Sequence, residues 1–370
     1  MEWSSQQQQA IKLVQEWLAD PNRKQVFRLF GYAGTGKTTL AKHLASLVKG
    51  QVLFACFTGK AAQVLRNKGC DGAGTIHGLI YKPHFDRYTG TCEFILNYDS
   101  DLKNAELLIV DEVSMVGEAE GNDLLSFGKP ILVLGDPEQL PPVKSAGFFT
   151  DHKPDLMLTE VHRQAETNPI IRASMDIRKG RKLSAGQSET GSVVLMDRDS
   201  VKDIAEICLK FDQVLCGRNN TRVMINRMVR EALGRTSAMP VKGDRLVCLR
   251  NDHPKGLYNG SLWEVVKIKQ GPYRGRVYMD VKSVDSKEDV FMDVEVLEEF
   301  FTGKDKDLDW KRLRGTQQFT YGYALTVHKS QGSQWDNVLL FDESQVFADD
   351  AKKHLYTAVT RAAINITVVA

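Results

Sequence analysis

The chain has 370 residues, of which 42% are hydrophobic and 26% are charged, and its formal net charge is +2. This composition is ordinary for a globular protein and gives enough length for about two to three domains. No apolar run reaches the roughly 20 residues of a membrane helix, and the weak overall field would leave any nucleic-acid binding to a local track of donors.

The N-terminal sequence MEWSSQQQQAIKLVQEW has an acid and four glutamines where a signal peptide would have basic and then apolar residues. We therefore expect that the chain is not exported. The cysteines are scattered, with no C-x-x-C pair and no histidines at zinc-ligand spacing, which predicts reduced thiols in a cytosol-like compartment. They are Cys56, Cys70, Cys92, Cys208, Cys216 and Cys248.

Apolar runs alternate with helical patterns over the first 150 residues. This alternation predicts a parallel sheet wrapped by helices. The candidate strands are 25–30, 51–57, 106–111 and 131–136, and helices are expected after the glycine-rich loop near residue 31 and over 59–67.

A second alternation of the same kind begins near residue 155. There DLMLTE leads to a predicted helix with Asn168 at its cap, Pro169 in its first turn and Gly180 just past its end. A strand and a helix follow in QVLCGRNNTRVMINRMVREALG, and the pattern resumes in NVLLF and NITVV near the end of the sequence. We interpret these segments as a second α/β domain.

Two insertions interrupt the α/β pattern. Residues 81–96 alternate on both sides of Thr89-Gly90, which predicts a hairpin. Between about 240 and 317 short alternating strands are separated by turn signals, which predicts a small β-barrel inserted in the second domain.

The sequence GYAGTGKT fits G-x-x-x-x-G-K-[ST] between a predicted strand and a predicted helix, the context that a phosphate-binding loop requires. Its glycines allow backbone N–H groups to surround phosphate oxygens at a helix N-terminus. Lys37 is expected to reach the β and γ phosphates, and Thr38 to offer its hydroxyl to Mg²⁺. The alternative is a glycine-rich turn with an exposed lysine. The residues assigned to the nucleotide are Gly31, Gly34, Thr35, Gly36, Lys37, Thr38 and Thr39.

Three polar residues at strand ends are candidates for the chemistry of this loop. Asp111 ends the buried strand LLIVD and is expected to hold Mg²⁺ together with Thr38, while Glu112 is placed to polarise a water in line with the γ phosphate. Gln139, in LGDPEQLPPV, could sense the same phosphate. The alternative is that the two acids only cap the following helix and that Gln139 is an ordinary loop residue.

These segments, with five others in the same order, resemble the motifs of superfamily 1 helicases, and most closely those of the RecD-like and Dda-like branch. The segments are GYAGTGKTT, FTGKAA, TIHGLI, IVDEVSMV, LGDPEQLPPV, LTEVHRQ, LTVHKSQGSQWDNVLL and YTAVTRA. They extend over nearly the whole chain, and the pair TVHKSQG and VTRA is highly specific. The short hairpin and the end of the sequence soon after NITVV indicate a compact member.

The resemblance implies a P-loop NTPase with two RecA-like domains, ATP in the cleft between them and single-stranded nucleic acid across both. Gln7 matches the family's adenine-side glutamine, because it lies three residues before Ala10. Arg163 and Arg361 match the two arginines that the second domain points at the γ phosphate, where they would neutralise charge on the transferred group. Without the motifs, each arginine would be interpreted as a solvated charge at a helix end.

The resemblance also implies a set of residues that face nucleic acid. Hydroxyl and imidazole contacts to phosphate or sugar would position a strand without reading its sequence. In the second domain, Lys329, Gln331 and Gly332 would couple the strand to the nucleotide. For His77 the alternative is a buried structural histidine. The matched positions are Thr58, Lys60, His77, Thr326, His328, Lys329 and Gln331.

The domain limits that follow are 1–150 for the first RecA-like domain, with the hairpin at 81–97, and 151–240 with 318–370 for the second. Residues 241–317 would form an SH3-like β insertion. The hairpin resembles the branch's duplex-splitting pin, with Phe85 and Tyr88 as candidate wedge residues. The alternative is that both rings pack the hairpin onto the first domain.

We therefore expect an ATP- and Mg²⁺-dependent DNA helicase that moves 5′ to 3′ on single strands and unwinds duplex, with the direction and the preference for DNA taken wholly from the resemblance. One alternative is a translocase, or a subunit of a recombination nuclease, without strong unwinding. Another is a nucleotide-switched binding module, which predicts a single α/β core.

The resemblance leads us to expect single-stranded DNA and duplex junctions as ligands, and replication or recombination proteins as partners. We also expect a monomer in the cytoplasm of a bacterium or of a phage-infected host, with no membrane association.

Overall fold

The computed structural model describes residues 3–85, 92–142, 146–160, 167–252, 255–285 and 290–370. The chain divides into two compact units, one made of Met1–Val193 with Phe347–Thr360 and the other of Val194–Val346 with Arg361–Ala370. Within the described ranges, no helix has the combination of length and apolar character needed to cross a membrane.

The first unit contains a parallel sheet and a separate hairpin. Its strands are β1 Val26–Gly31, β2 Val52–Cys56, β3 Gly74–Thr75, β4 Tyr81–Phe85, β5 Cys92–Leu96, β6 Leu107–Asp111, β7 Ile131–Gly135, β8 Leu156–Leu158 and β9 Gly186–Ser188. Its first six helices are α1 Ser5–Ala19, α2 Lys37–Ser46, α3 Gly59–Asn67, α4 Ile76–Ile80, α5 Glu118–Ser126 and α6 Pro169–Arg178. Six strands form the sheet in the order β3-β2-β6-β7-β1-β8, and all neighbouring pairs are parallel.

Helices cover both faces of this sheet, so its strands are apolar on both sides. β6 and β7 are buried at every position, as their runs of Leu, Ile and Val predict. Successive residues point to opposite faces, so Phe30 and Val110 join one core cluster while Leu29 and Ile109 join the other, where Trp17 of α1 also packs. Burying each such large side chain stabilises the fold by about 1.5–3 kcal/mol.

The predicted strands of the first 150 residues and the helix at 59–67 are confirmed. The predicted helix after residue 167 is also confirmed as α6, because Asn168 accepts hydrogen bonds at its N-terminus and Gly180 follows its end with φ of 69°. Both features are local, which is why the sequence alone identifies them.

The segment DLMLTE differs from its prediction. It forms β8 and pairs with β1 in the first sheet, with Leu29 opposite Leu156 and Gly31 opposite Leu158. Asp155 fixes this edge strand, because it accepts a hydrogen bond from the Arg28 N–H and forms an ion pair with Lys24. A three-residue apolar strand carries no signal of which sheet it will join, and here a preceding carboxylate sets the choice.

The predicted hairpin is present as β4 and β5, which pair antiparallel from Tyr81 opposite Leu96 to Phe85 opposite Cys92. The turn between them, with Thr89-Gly90 and Tyr88, lies outside the described residues, and so does the side chain of Phe85.

The second unit contains another parallel sheet. Its strands are β10 Gly191–Met196, which begins in the first unit, then β11 Gln213–Cys216, β12 Arg245–Cys248, β13 Leu262–Lys269, β14 Arg276–Ser283, β15 Phe291–Leu297, β16 Phe319–Tyr321, β17 Ala324–Thr326, β18 Trp335–Phe341 and β19 Ala362–Val369. Its helices are α7 Ile204–Cys208, α8 Asn219–Ala232, α9 Glu299–Thr302, α10 Trp310–Leu313 and α11 Val327–Ser330. The parallel strands lie in the order β17-β11-β18-β19.

The remaining elements are short. Helix α12 Ala351–Val359 belongs to the segment that returns to the first unit. Short 3-10 helices lie at Asp101–Asn104, Val113–Met115, Arg198–Ser200, Asp305–Asp307 and Ser344–Asp350.

The predicted β insertion is an antiparallel sheet in the order β15-β14-β13-β12-β16. Its two outer strands approach each other, because Val296 bridges to Gln317 and the Gln317 N–H donates to the Glu295 carbonyl at 2.7 Å. The sheet therefore curls toward a barrel, as the sequence predicts. The more specific description as SH3-like stays a prediction.

A buried ion pair ties α8 to the start of this insertion. Asp244 is fully buried and accepts two hydrogen bonds from Arg230, both 3.1 Å long, and one from Arg235 at 3.0 Å. The Val241 N–H and the Tyr323 hydroxyl also donate to it. A carboxylate with this many donors is stable in the core, whereas the two guanidinium groups would be left without their counter-ion if it were removed.

We expect Asp244→Asn to lower the free energy of unfolding by about 3–5 kcal/mol, because it leaves buried positive charge uncompensated. Glu206→Gln is a matched control, since Glu206 forms an exposed pair with Lys210 at 2.7 Å, and its cost should stay below about 1 kcal/mol. Urea unfolding measures both. Equal costs for the two variants would show that the buried pair does not anchor the insertion.

Candidate nucleotide and nucleic-acid sites

All six parallel strands of the first sheet end at the same edge, so the residues that follow them lie near one another. β1 ends at Gly31, β6 ends at Asp111, and Asp136 follows β7, which brings the central candidates together. β2 and β3, at the flank of the sheet, lead to Thr58 and His77. The two groups of predicted site residues therefore occupy adjacent parts of one edge.

The phosphate-binding loop has the backbone that its glycines predict. Gly34 and Gly36 have φ of 80° and 78°, and α2 begins directly after Gly36. At Gly31, a Cβ atom would lie 2.6 Å from the Thr35 hydroxyl and 2.9 Å from the Leu158 Cβ, so only glycine fits between the loop and β8.

Lys37 is the first residue of α2 and folds back over the loop. Its Nζ donates to the carbonyls of Gly31 and Tyr32, the second at 3.0 Å. These carbonyls hold the Lys37 ammonium at the loop, where a bound anion could replace them as its hydrogen-bond partner. The alternative of a simple turn with an exposed lysine does not fit, because the side chain is half-buried and bonded at both loop carbonyls.

Thr38 and Asp111 form the pair that was predicted to bind a metal. The Thr38 hydroxyl donates to Asp111 Oδ2 at 3.0 Å. Two ligands of an octahedral Mg²⁺ ion at 2.0–2.1 Å would be about 2.9 Å apart, so the two oxygens fit that coordination. Burial and the neighbouring Glu112 carboxylate raise the pKa of Asp111, and Lys37 opposes this shift. A cation at this position would stabilise the charged form.

Glu112 has a backbone conformation that few residues adopt. Its φ of 54° is in the left-handed region, and its N–H donates to Asp111 Oδ1 at 2.8 Å. Such strain is typical of functional sites, where the surrounding structure holds a side chain in a set direction. Glu112 precedes a 3-10 helix without a side-chain capping bond, which counts against the alternative that these acids are only helix caps.

The loop after β7 holds two buried polar residues. Asp136 accepts hydrogen bonds from the Glu138 N–H and from the Tyr356 hydroxyl, and burial raises its pKa. The predicted residue Gln139 is also buried, and its Oε1 has no hydrogen-bond partner among the described residues. An unpaired buried oxygen is costly, which is consistent with a ligand donor at this position.

Tyr356 is a functional candidate that the sequence analysis missed. It lies on α12, and its hydroxyl donates to Asp136 Oδ2 at 2.5 Å and accepts from the Ala33 N–H of the phosphate-binding loop at 3.2 Å. The next residue, Thr357, accepts the Leu140 N–H at 2.9 Å. The segment YTAVTRA therefore supports the nucleotide loops directly, and its buried tyrosine was the available signal.

Arg178, at the end of α6, was also not predicted. Its guanidinium carbon lies 3.3 Å from the centroid of the Tyr32 ring, which places a cation against the phosphate-binding loop. Nothing in the local sequence IRKG distinguishes this arginine from a helix-end charge.

Gln7, predicted to contact adenine, is buried at the start of α1. Its side-chain oxygen accepts the Ser4 N–H at 3.0 Å, and its nitrogen donates to the Thr35 carbonyl at 3.1 Å. In this structure Gln7 connects α1 to the phosphate-binding loop, and its contact with a base stays a prediction.

The strand-facing candidates of the first unit differ in exposure. Thr58 caps α3 by accepting the Ala61 N–H at 3.2 Å, which leaves its O–H as a donor. Lys60 is buried. His77 is exposed, and its ring centroid lies 4.8 Å from that of Tyr81 and 4.5 Å from that of Phe94. The alternative of a buried structural histidine is therefore wrong, and these rings form an aromatic surface at the base of the hairpin.

The second unit holds its strand-facing candidates on α11 and just after it. Thr326 caps this helix by accepting the Lys329 N–H at 3.4 Å. His328 and Lys329 reach the surface, whereas Gln331 is buried. Gly332 has φ of 76°, which turns the chain after the helix. The hydroxyl, imidazole and ammonium groups are thus presented from one turn of helix.

Of the two predicted arginines, Arg361 is buried, with 5% of its surface exposed, and it donates to the Ser333 carbonyl at 3.2 Å. The alternative of a solvated helix-end charge is therefore wrong for Arg361. Arg163 lies outside the described residues.

Two family descriptions match the chain. The first, described as an AAA domain, covers residues 3–198, and the second, a UvrD-like helicase C-terminal domain, covers residues 321–369. An ATP-dependent RecD2 DNA helicase of Deinococcus radiodurans is 30% identical over 366 residues, which cover 90% of this chain and 45% of that protein. The chain spans less than half the length of the first curated relatives that it matches.

Solved structures support the fold. Bacteroides Pif1 bound to single-stranded DNA is 21% identical, with a TM-score of 0.62 over 100% of this chain and 92% of that one. Pif1 helicase from Candida albicans is 19% identical, with a TM-score of 0.59 over 100% and 94%. At these identities the likeness is evidence of a shared two-domain α/β fold.

We expect Tyr356→Phe to lower the free energy of unfolding by about 1–3 kcal/mol at pH 7, because Asp136 loses a donor and the Ala33 N–H loses an acceptor. The loss should be smaller in acid. Burial raises the folded-state pKa of Asp136. The protonated Asp136 carboxyl therefore contributes stability at low pH, and this contribution is lost as the pH rises through the folded-state pKa. Removing the hydroxyl raises this pKa further.

Urea unfolding at pH 5, 7 and 8 measures the difference. Tyr278→Phe is the matched control, because the Tyr278 hydroxyl is buried without a partner among the described residues and its removal should cost little. A Tyr356→Phe penalty that does not change with pH would show that the hydroxyl does not act on a charged Asp136.

Proposed function

The chain belongs to the RecD-like superfamily 1 helicases, and on that premise we propose that it is an ATP- and Mg²⁺-dependent DNA helicase that moves 5′ to 3′ on single strands. One observation carries the proposal. The edge of the first sheet that holds Lys37, Thr38 and Asp111 also holds, on neighbouring strands, the exposed His77 and the capping Thr58. Nucleotide hydrolysis and strand contact can therefore act on one rigid sheet.

The proposed hydrolysis uses residues in distinct roles. The N–H groups of the phosphate-binding loop hold the phosphates, and Lys37 leaves the carbonyls of Gly31 and Tyr32 to bind them. Mg²⁺, held by Thr38 and Asp111, would supply positive charge at the β and γ phosphates. Glu112 accepts a proton from the attacking water. The water oxygen bonds to the γ phosphorus as the bond between this phosphorus and the β-γ bridging oxygen breaks.

Arg361 and Arg163 are proposed to stabilise the charge that develops on the transferred group, and Gln139 to respond to the presence of the γ phosphate. Thr58, His77, Thr326 and His328 are proposed to contact the phosphates and sugars of the strand. The hairpin is proposed as the pin that separates the duplex, and the exposed rings of His77 and Phe94 at its base support a surface on which bases can stack.

Two alternatives remain distinct from this proposal. The nucleotide-switched module predicts one α/β core, whereas this chain has a parallel sheet in each of two units. A translocase without strong unwinding would have the same two sheets and the same nucleotide site, so only an unwinding assay separates it from a helicase.

The test is an unwinding assay on duplexes that carry a 5′ or a 3′ single-stranded tail, together with ATPase rates in the presence of DNA or RNA. We expect strand separation from the 5′ tail and stimulation of hydrolysis by DNA. Unwinding only from the 3′ tail would overturn the direction, and stimulated hydrolysis without unwinding from either tail would favour the translocase.

We expect Lys37→Ala to lower nucleic-acid-stimulated ATP hydrolysis by at least about 100-fold, because the developing phosphate charge loses its lysine. Lys42→Ala is the matched control, since Lys42 lies on the exposed side of the same helix and should keep the wild-type rate. Steady-state phosphate release measures both. A Lys37→Ala rate near that of the control would contradict the assignment of the loop.

A further inference from the structure

The second unit has a cavity of about 550 Å³, and its lining includes the strand-facing candidate Lys329. It is formed by α8, α9, β16 and α11. Its volume lies within the range of small-molecule sites, which is about 300–1,000 Å³. Its lining contains both aromatic and cationic side chains. The lining residues that matter here are Arg222, Arg227, Phe300, Phe301, Tyr321 and Lys329.

Two of the lining cations lack an ion-pair partner in the part of the chain that the structure describes. They are Arg222 and Lys329, and the Arg222 guanidinium donates to the Asn219 side chain at 3.4 Å. The two acids that line the cavity are Asp305 and Glu231, and Glu231 already lies 3.7 Å from Arg227. The cavity therefore has an excess of positive charge.

Burial and the charged groups around Lys329 change the pKa of its ammonium group. Burial and the Arg222 guanidinium lower the pKa of Lys329 to about 8, while Cys248 and Asp305 act in the opposite direction. Burial also lowers the pKa of Arg222. Lys329 lines the cavity and is exposed, so water screens part of this repulsion. An anion bound between the two cations would remove the remaining repulsion.

The two other arginines that line the cavity behave differently. Arg230 and Arg235 both pair with the buried carboxylate of Asp244, and Arg230 also stacks on the Tyr321 ring at 4.1 Å. They are structural and close the inner wall. Their neutralisation leaves Arg222 and Lys329 as the cations that can take a ligand.

The aromatic lining residues suit a flat, apolar group. Phe300 and Phe301 each have 8% of their surface exposed, and they line the cavity together with Tyr321. The cavity thus combines aromatic rings with two cations that have no carboxylate partner among the residues described.

We infer that this cavity binds one nucleotide unit, with its phosphate between Arg222 and Lys329 and its base against Phe300, Phe301 and Tyr321. The inference rests on the proposed function in assigning that unit to the bound strand. A free mononucleotide has the same chemistry, so the experiment has one arm for each source. A base held here would fix the position of the strand on the second unit while the first unit changes its contacts.

The experiment uses the full chain and a 12-nucleotide dT oligonucleotide in which 5-iododeoxyuridine replaces thymidine at one position at a time. After irradiation, mass spectrometry identifies the crosslinked peptide. We expect one position to crosslink to the peptide with Phe300 and Phe301 or to that with Tyr321. Arg222→Gln should reduce this crosslink and weaken strand affinity about 3- to 10-fold. Lys210→Gln, which removes an exposed cation paired with Glu206 outside the cavity, should change neither.

The second arm adds dTMP as a competitor. If millimolar dTMP leaves the cavity crosslink intact, the strand is the ligand, as inferred. If dTMP binds to the protein while the strand never crosslinks to these peptides, the nucleotide chemistry holds and the strand assignment is overturned. If the oligonucleotide binds normally but crosslinks only elsewhere, and dTMP does not bind, the inference fails and the proposed function stands. Absence of any strand binding would instead overturn the proposed function, and dTMP would still test the cavity.

Discussion

Two buried carboxylates under the influence of one lysine are the constraint on which the nucleotide site depends. Asp111 is the last residue of β6, and Asp136 follows the neighbouring strand β7. Burial raises the pKa of each, and Lys37 favours the charged form of both. Each carboxylate oxygen accepts a hydrogen bond, from Thr38 and the Glu112 N–H in one case and from Tyr356 and the Glu138 N–H in the other. Neutral donors thus stabilise the negative charge that either carboxylate carries in the core.

The parallel sheet places the other candidate residues beside this nucleotide site. All strands of a parallel sheet present their carboxyl ends at one edge, so residues far apart in sequence meet there without long loops. The central strands carry the nucleotide loops, and the flanking strands β2 and β3 carry Thr58 and His77. A change at the central strands can reach the flank through a core in which β6 and β7 are buried at every position.

The sequence predicts those parts of the site whose causes are local. Gly34 and Gly36 require left-handed backbone, Asn168 caps a helix, and the buried runs of β6 and β7 are continuous, so spacing alone is enough. The contact of Tyr356 with Asp136 joins residues 220 positions apart, and no periodicity encodes such a partner. The same holds for β8, whose three residues could have joined either sheet, and for the left-handed conformation of Glu112, which the surrounding site imposes.

The return of residues 347–360 to the first unit has a consequence for synthesis on the ribosome. The loop with Asp136 emerges long before Tyr356, and at about 5–20 residues per second the interval between them is roughly 10–45 s. During that time the nascent first unit has its sheet and its phosphate-binding loop but not the tyrosine that supports them. The order of translation therefore delays the completion of this pocket until residues 194–346 of the second unit have been made.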